Sequence, residues 1–278
     1  MIIYIYNQAN FHFEVIESIF LQYKKIIGKK IENPIFYISF KLENKSFYNY
    51  IIKKYPYIKI GTPSYYHYSI NCTVYTRNIS LIKRDGKHFY ISHEFSDKLA
   101  RYKNIFFVFP KLQNRYLSLE YLPFREQPKI KTDIPIYIVQ GNLNQYFRRN
   151  YHILVFILKQ NYKYDFKIKL IGKGILPPIL RPYQDKIILK NNLKFQEFHQ
   201  EFLDGYAILP LISREKQNHY YTHKLTSSIN YAKAYNLKCI MDSDLYKLYP
   251  LKNSVVYSKT ESMITVFEKT LYDFYNKN

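Results

Sequence analysis

The chain has 278 residues, 47% of them hydrophobic and 19% aromatic, and a formal net charge of +21. That much apolar material excludes a disordered chain, and the length suits two compact domains of about 140 residues each. Two cysteines, Cys72 and Cys239, exclude a disulfide framework and give no metal-ligand spacing, and the longest apolar runs, such as 153–158, are too short to span a bilayer.

Taken in chain order, β-rich runs at 2–6, 35–40, 57–60, 88–92 and 104–109 predict strands, and periodic stretches at 12–27, 44–54 and 94–101 predict helices between them. The segment 62–80 reads as either a loop or an edge strand, because Pro63 and polar residues interrupt it. Three prolines and mixed charges over 121–135 then mark the break between domains, with 126–135 as the predicted linker, 1–125 as a first domain and 136–278 as a second. In the second domain, strands are predicted at 136–140, 166–171, 186–189, 206–211, 237–241 and 254–257, with helices at 145–160, 175–183, 196–203, 224–235 and 260–275. Alternation of this kind predicts an α/β protein of two Rossmann-like lobes with a cleft between them, and ligands outside the carboxyl ends of the strands.

The charge draws polyanions: nucleic acid, an anionic membrane surface or a phosphate-bearing substrate. Lysine and arginine are spread along the chain, which also fits a basic solvated surface. The 32 tyrosines, 7 glycines and absence of tryptophan carry the stamp of AT-rich coding rather than of a site. The opening MIIYIY lacks the features of a secretory leader, so we expect a cytoplasmic protein, free or peripheral to a membrane surface.

Residues directly after the strands are the candidates for chemistry. Gly141 and Asn142 follow one strand, with Arg148 and Arg149 opening the next helix; glycine admits close approach of backbone to a ligand, and a guanidinium can neutralise phosphate. Gly172 and Lys173 follow the next strand. Lys224 precedes Thr226, Ser227 and Ser228 at a predicted helix start, where free N–H groups and the helix dipole favour an anion. Ordinary Ser/Thr capping is the competing explanation for that triplet.

In order, the segments IYIVQGNLNQYFRRN, IKLIGKG, EFLDGYAILP and YTHKLTSSINYAKAYNLKCIMD resemble the nucleotide-sugar-binding half of GT-B glycosyltransferases, especially those with a "glycosyl transferases group 1" C-terminal domain. The resemblance covers half the chain. It implies a glycosyltransferase that takes a nucleoside-diphosphate sugar as substrate, held by Gly141, Asn142, Arg148 or Arg149, Lys224 and Thr226–Ser228, with the base near Gly172 and 192–195. Many relatives carry paired glutamates beside the donor helix; here those positions read Thr, Ser and Asn.

His93, at the end of a predicted strand, is the candidate for proton transfer or sugar contact, against a capping or backbone-bonded role. The stretch 7–10, after the first strand, is expected to line the cleft as well. Asp242-Ser243-Asp244 has the form of a metal-binding Asp-x-Asp, but its place after the donor helix favours a plain strand end with Asp244 capping a short helix. We therefore expect no cofactor, no metal site and a metal-independent transfer to a glycan, lipid or protein acceptor. The alternatives are a nucleic-acid-binding protein, which would stack bases on tyrosines, and a catalytically degenerate GT-B scaffold.

Overall fold

A computed structural model describes residues 1–7, 14–40, 45–119, 128–144, 146–258 and 262–277. The chain divides into two units, Met1–Tyr121 with Thr222–Leu225, and Leu122–Tyr221 with Thr226–Asn278.

The first lobe runs β1 (Ile2–Asn7), α1 (Glu14–Ile27), β2 (Ile35–Phe40), α2 (Lys45–Lys54), β3 (Lys59–Ile60), β4 (Tyr68–Asn71), β5 (His88–Ser92), α3 (Asp97–Ala100) and β6 (Ile105–Phe107). Its sheet is parallel, in the order β3-β2-β1-β4-β5-β6. α1 forms because Val15, Ile16, Ile19, Phe20 and Ile26 fall on one helical face and are buried, whereas Leu21 on the opposite face is exposed. It stops at Gly28, whose φ of 79° supplies the left-handed step that lets its N–H reach the Lys24 carbonyl at 2.9 Å.

The 62–80 segment contains a central strand rather than a loop or an edge. β4 lies between β1 and β5 with all four of its residues buried, Ser69 and Asn71 included. Two polar residues in four hid it from a hydrophobicity pattern.

The second lobe runs β7 (Ile136–Asn142), α4 (Tyr151–Lys159), β8 (Lys167–Lys173), β9 (Ile187–Asn191), α5 (Phe195–Gln200), β10 (Ala207–Ile208), α6 (Arg214–Gln217), α7 (His219–Thr222), α8 (Ser227–Ala234), β11 (Lys238–Asp242), α9 (Ser243–Leu248), β12 (Ser254–Tyr257) and α10 (Met263–Lys277). The order β12-β11-β10-β7-β8-β9, again parallel, has the topology of the first sheet. The strand expected over 206–211 is cut to two residues, because Pro210 has no N–H to offer and Leu211 takes a φ of 49°. The expected helix at 175–183 is a 3-10 helix, Pro178–Lys186, with Pro182 inside it. Tyr137, Leu154, Leu170, Leu209, Ile240 and Phe267 form the core between sheet and helices.

Candidate functional site

In a sheet of this order the chain turns back at the strand pair β7/β10, and the carboxyl ends of those strands leave a crevice where ligands bind. Two glycines shape the backbone there. Gly141 pairs with Gly172 across β7 and β8, and a Cβ on Gly172 would lie 1.7 Å from the Gly141 carbonyl oxygen. Neither strand could close to this spacing with a larger residue at 172.

Beside them is a pocket of 460 Å³ lined by Gln140, Gly141, Asn142, Gly172, Lys173, Asn192, Leu193 and Phe198. Lys173 is exposed at its rim. The Asn142 carboxamide oxygen accepts the Asn144 N–H at 3.1 Å and so fixes the turn after β7.

The start of α8 converges on the same strand end. Ser227 Oγ donates to the side-chain oxygen of Gln140 at 2.8 Å. Ser228 is fully buried, and Thr226 is 1% exposed. Thr226 occupies the capping position with an extended φ of −86°, yet its side chain caps nothing, and its buried hydroxyl has no hydrogen-bond partner among the described residues. A buried hydroxyl with no partner is uncommon, and ordinary capping does not account for this one.

Arg149 is 4% exposed and does not point its guanidinium at solvent. Its Nε and Nη2 donate to the Gln140 carbonyl at 3.1 and 2.7 Å, Nη1 donates to the Arg148 carbonyl at 2.8 Å, and Nη2 reaches Ser228 Oγ at 3.5 Å. All three acceptors are neutral, so a buried positive charge sits behind the end of β7 with no carboxylate partner among the described residues. Such a charge raises the local potential toward an anion while its hydrogen bonds tie β7 to α8. Arg148, half-buried, has its guanidinium 5.9 Å from the Phe147 ring centre.

Lys224, expected at the donor, is engaged elsewhere, and the aspartate that caps the helix after β11 is Asp242 and not the expected Asp244. Lys224 belongs to the first unit, where its ammonium meets Glu94 at 2.5 Å and its backbone bridges Glu94. Asp242 caps α9, accepting the N–H groups of Asp244 and Leu245 at 2.9 Å, and accepts the Tyr221 hydroxyl. Asp244 pairs with Arg214 at 3.2 Å and Lys247 at 3.3 Å. Burial and the Asp242 carboxylate both push the Tyr221 phenol well above its ordinary range.

In the first lobe the corresponding turn-back lies between β1 and β4, and sequence reasoning missed most of what it holds. Thr73 Oγ1 donates to Asn7 Oδ1 at 3.1 Å, and the Thr73 N–H donates to Asn71 Oδ1 at 3.0 Å. His93, 7% exposed, uses Nε2 to donate to the Cys72 carbonyl at 3.2 Å. Burial raises the neighbouring Tyr6 phenol to about 12, against an opposing hydrogen bond with Asn71. Of the expected cleft stretch, 8–10 lie outside the described residues.

Sequence reasoning also missed Lys169, which is buried in β8. It meets Asp204 at 2.6 Å and Glu201 at 3.0 Å, and Glu201 also pairs with Lys190 at 2.9 Å. Both carboxylates follow α5 within EFLDGYAILP, a segment whose resemblance points to a strand and not to an ion pair.

No family model and no curated protein matches the sequence. Solved structures do match in fold. AviGT4, a glycosyltransferase involved in avilamycin A biosynthesis, is 9% identical at a TM-score of 0.54, with 98% of this chain and 88% of that chain covered. The E. coli ADP-heptose lipopolysaccharide heptosyltransferase II is 10% identical at a TM-score of 0.53, with both chains covered in full at 100%. The UDP-GlcNAc 2-epimerase of Methanocaldococcus jannaschii is 10% identical at a TM-score of 0.50, with 97% of this chain and 92% of that chain covered. No helix among the described residues is long and apolar enough to cross a membrane. At such identities the likeness is one of fold, and with two parallel six-stranded sheets of the same order the chain has the GT-B fold of these glycosyltransferases.

Proposed function

We propose that the chain transfers a sugar from a nucleoside-diphosphate sugar to an acceptor hydroxyl. The observation that carries this reading is the opening of α8, where a buried Thr226 hydroxyl, unpartnered among the described residues, and the N–H groups of Ser227 and Ser228 stand beside Gln140 at the end of β7. A diphosphate placed there gains about 0.3–1 kcal/mol from the helix dipole, and up to about 2 kcal/mol when partly buried. Lys173 and Arg148 are the proposed charged contacts, and Arg149 acts from behind the strand as a fixed positive charge. The 460 Å³ pocket at Gly172 and Asn192 is the proposed seat of the base.

In the reaction the bond from the anomeric carbon to the diphosphate breaks, and the acceptor oxygen bonds to that carbon. The acceptor proton passes to a base, for which His93 is our candidate. With Nε2 bonded to the Cys72 carbonyl, the neutral ring carries its proton there. Negative charge grows on the leaving diphosphate, so donors at α8 bind the transition state more tightly than the ground state. Asp242 and Asp244 are engaged in capping and ion pairs, and we propose that transfer does not depend on them as metal ligands.

The test is turnover of UDP-, GDP- and ADP-sugars, with nucleotide release and sugar transfer measured separately. Lys173→Ala and Ser227→Ala should lower transfer by about 10²–10³ if each removes a principal phosphate donor. Nucleotide release with an altered free sugar and no transferred product would place the chain with the epimerase among its fold neighbours. Unchanged rates in both variants would remove the assigned site.

A further inference from the structure

Parallel sheets are ordinarily covered on both faces by their crossover helices, and in the first lobe one face of β1 and β2 keeps partial exposure. Along β1 half-exposed and buried residues alternate without a break, and β2 alternates over most of its length. The buried set, Ile3, Ile5, Phe36 and Ile38, is core, with Phe20 of α1 edge-on to Phe36 at 5.1 Å. The other set shares the opposite face: register puts Tyr4 beside Tyr37, Tyr37 beside Lys59, and Tyr6 beside Ser39.

These residues make a shelf of rings with hydroxyls between them. Tyr4 and Tyr6 stack at 5.3 Å with 19° between their planes, and Tyr66, from the β3–β4 connection and 38% exposed, lies 5.5 Å from Tyr4. Tyr4 and Ser39 share a hydrogen bond of 2.5 Å. Lys59, 5.6 Å over the Tyr37 ring, is the one ammonium among the residues just named, on a chain whose net charge is +21.

That chemistry selects its ligand. Ring faces accept C–H groups, and hydroxyls at the ring edges exchange hydrogen bonds. A sugar ring presents C–H groups on its faces and hydroxyls around its rim. Single-stranded nucleic acid would also stack on tyrosines, but it needs a row of cations along its phosphates, and the rings named here have Lys59 alone. We propose that the face is a docking shelf for an uncharged oligosaccharide, which would make the acceptor of the transfer a glycan. The acceptor role rests on the function proposed above, whereas glycan binding stands without it.

The chain contains no tryptophan, so Tyr66→Trp puts a single fluorescent reporter on the shelf. Phe156→Trp, on an exposed position of α4, is the control. Both full-length variants are titrated with maltoheptaose, cellohexaose and laminariheptaose, and with oligo-dT at two salt concentrations. The expected result is a saturable emission shift of the shelf reporter with at least one oligosaccharide, insensitive to salt, and none in the control. Silence toward all three sugars, or a response to oligo-dT alone that collapses with salt, overturns the shelf. Thermal shift with UDP, GDP and ADP on the same samples separates the two claims. Nucleotide binding without a sugar response ends the shelf alone, and a sugar response without nucleotide binding supports the shelf and ends the donor site alone.

Discussion

Replacing Arg149 with methionine keeps an unbranched side chain and removes the guanidinium. The structure gives the cost. Three bonds of 2.7–3.1 Å are lost to the Gln140 and Arg148 carbonyls, while the 3.5 Å approach to Ser228 counts for little. Bonds from a charged donor are worth about 1.5–3 kcal/mol each, or roughly 5–9 kcal/mol together. Relief of the desolvation of a buried charge, several kcal/mol, is subtracted, leaving a net loss of about 2–4 kcal/mol. With a urea slope of about 2 kcal/mol per molar, the midpoint of the second lobe's transition should fall by about 1–2 M. Nucleotide affinity should fall as well, since the fixed charge behind β7 is gone. Arg148→Met, which loses only a half-buried side chain stacked on Phe147, should stay within about 0.5 kcal/mol of the wild type and still weaken nucleotide binding. Urea titrations followed by circular dichroism, paired with calorimetric nucleotide titrations, measure both quantities. An Arg149→Met protein as stable as the wild type but unable to bind nucleotide would refute this reasoning and make Arg149 a direct phosphate ligand.

Other perturbations follow from the same geometry. Gly172→Ala places a methyl 1.7 Å from the Gly141 carbonyl, so β7 and β8 must separate at their carboxyl ends; we expect a loss of at least about 1–3 kcal/mol in thermal or urea unfolding, together with nucleotide binding. Asp242→Ala removes the α9 cap and leaves the Tyr221 hydroxyl with the Ile212 carbonyl at 3.3 Å as its acceptor, costing about 1–3 kcal/mol, and added Mn2+ should not stabilise the wild type in a thermal shift if the Asp-x-Asp is structural. For Glu201, burial alone would raise the carboxyl, but hydrogen bonds from Lys190 and Lys169 hold it below its ordinary 4.5. A depressed carboxylate stabilises the fold above the unfolded value and loses that contribution as pH falls through the folded one. Glu201→Gln should therefore be less stable than the wild type near neutral pH, with the gap closing as pH falls below 4.5 and through the depressed folded value, as urea midpoints across that range would report.

How much of this was legible depended on what each residue's neighbours in sequence could disclose. β1, β2 and β7 announce themselves as apolar, β-branched and aromatic runs, because burial and a strong β propensity demand it. β4 does not, since Ser69 and Asn71 are buried by partners drawn from β1 and β5, distant in sequence. At the site, Gly141, Gly172 and the hydroxyls opening α8 stood out by their position after strands and before a helix. The direction in which Arg149 points was hidden, because a guanidinium at a helix start can face a ligand or fold back on a carbonyl with equal sequence support. Lys169 was hidden for a related reason: alternation of lysine with apolar residues reads as a solvent face, and only the arrival of Glu201 and Asp204 makes it an interior cation.

The account turns on the diphosphate at the start of α8, and backbone amide shifts of isotope-labelled protein titrated with UDP, GDP and ADP test this most directly. The Ser227 and Ser228 amides should move downfield and saturate together with Gly172, at the same midpoint as calorimetric binding. Saturated nucleotide binding that leaves those three amides where they were would contradict it.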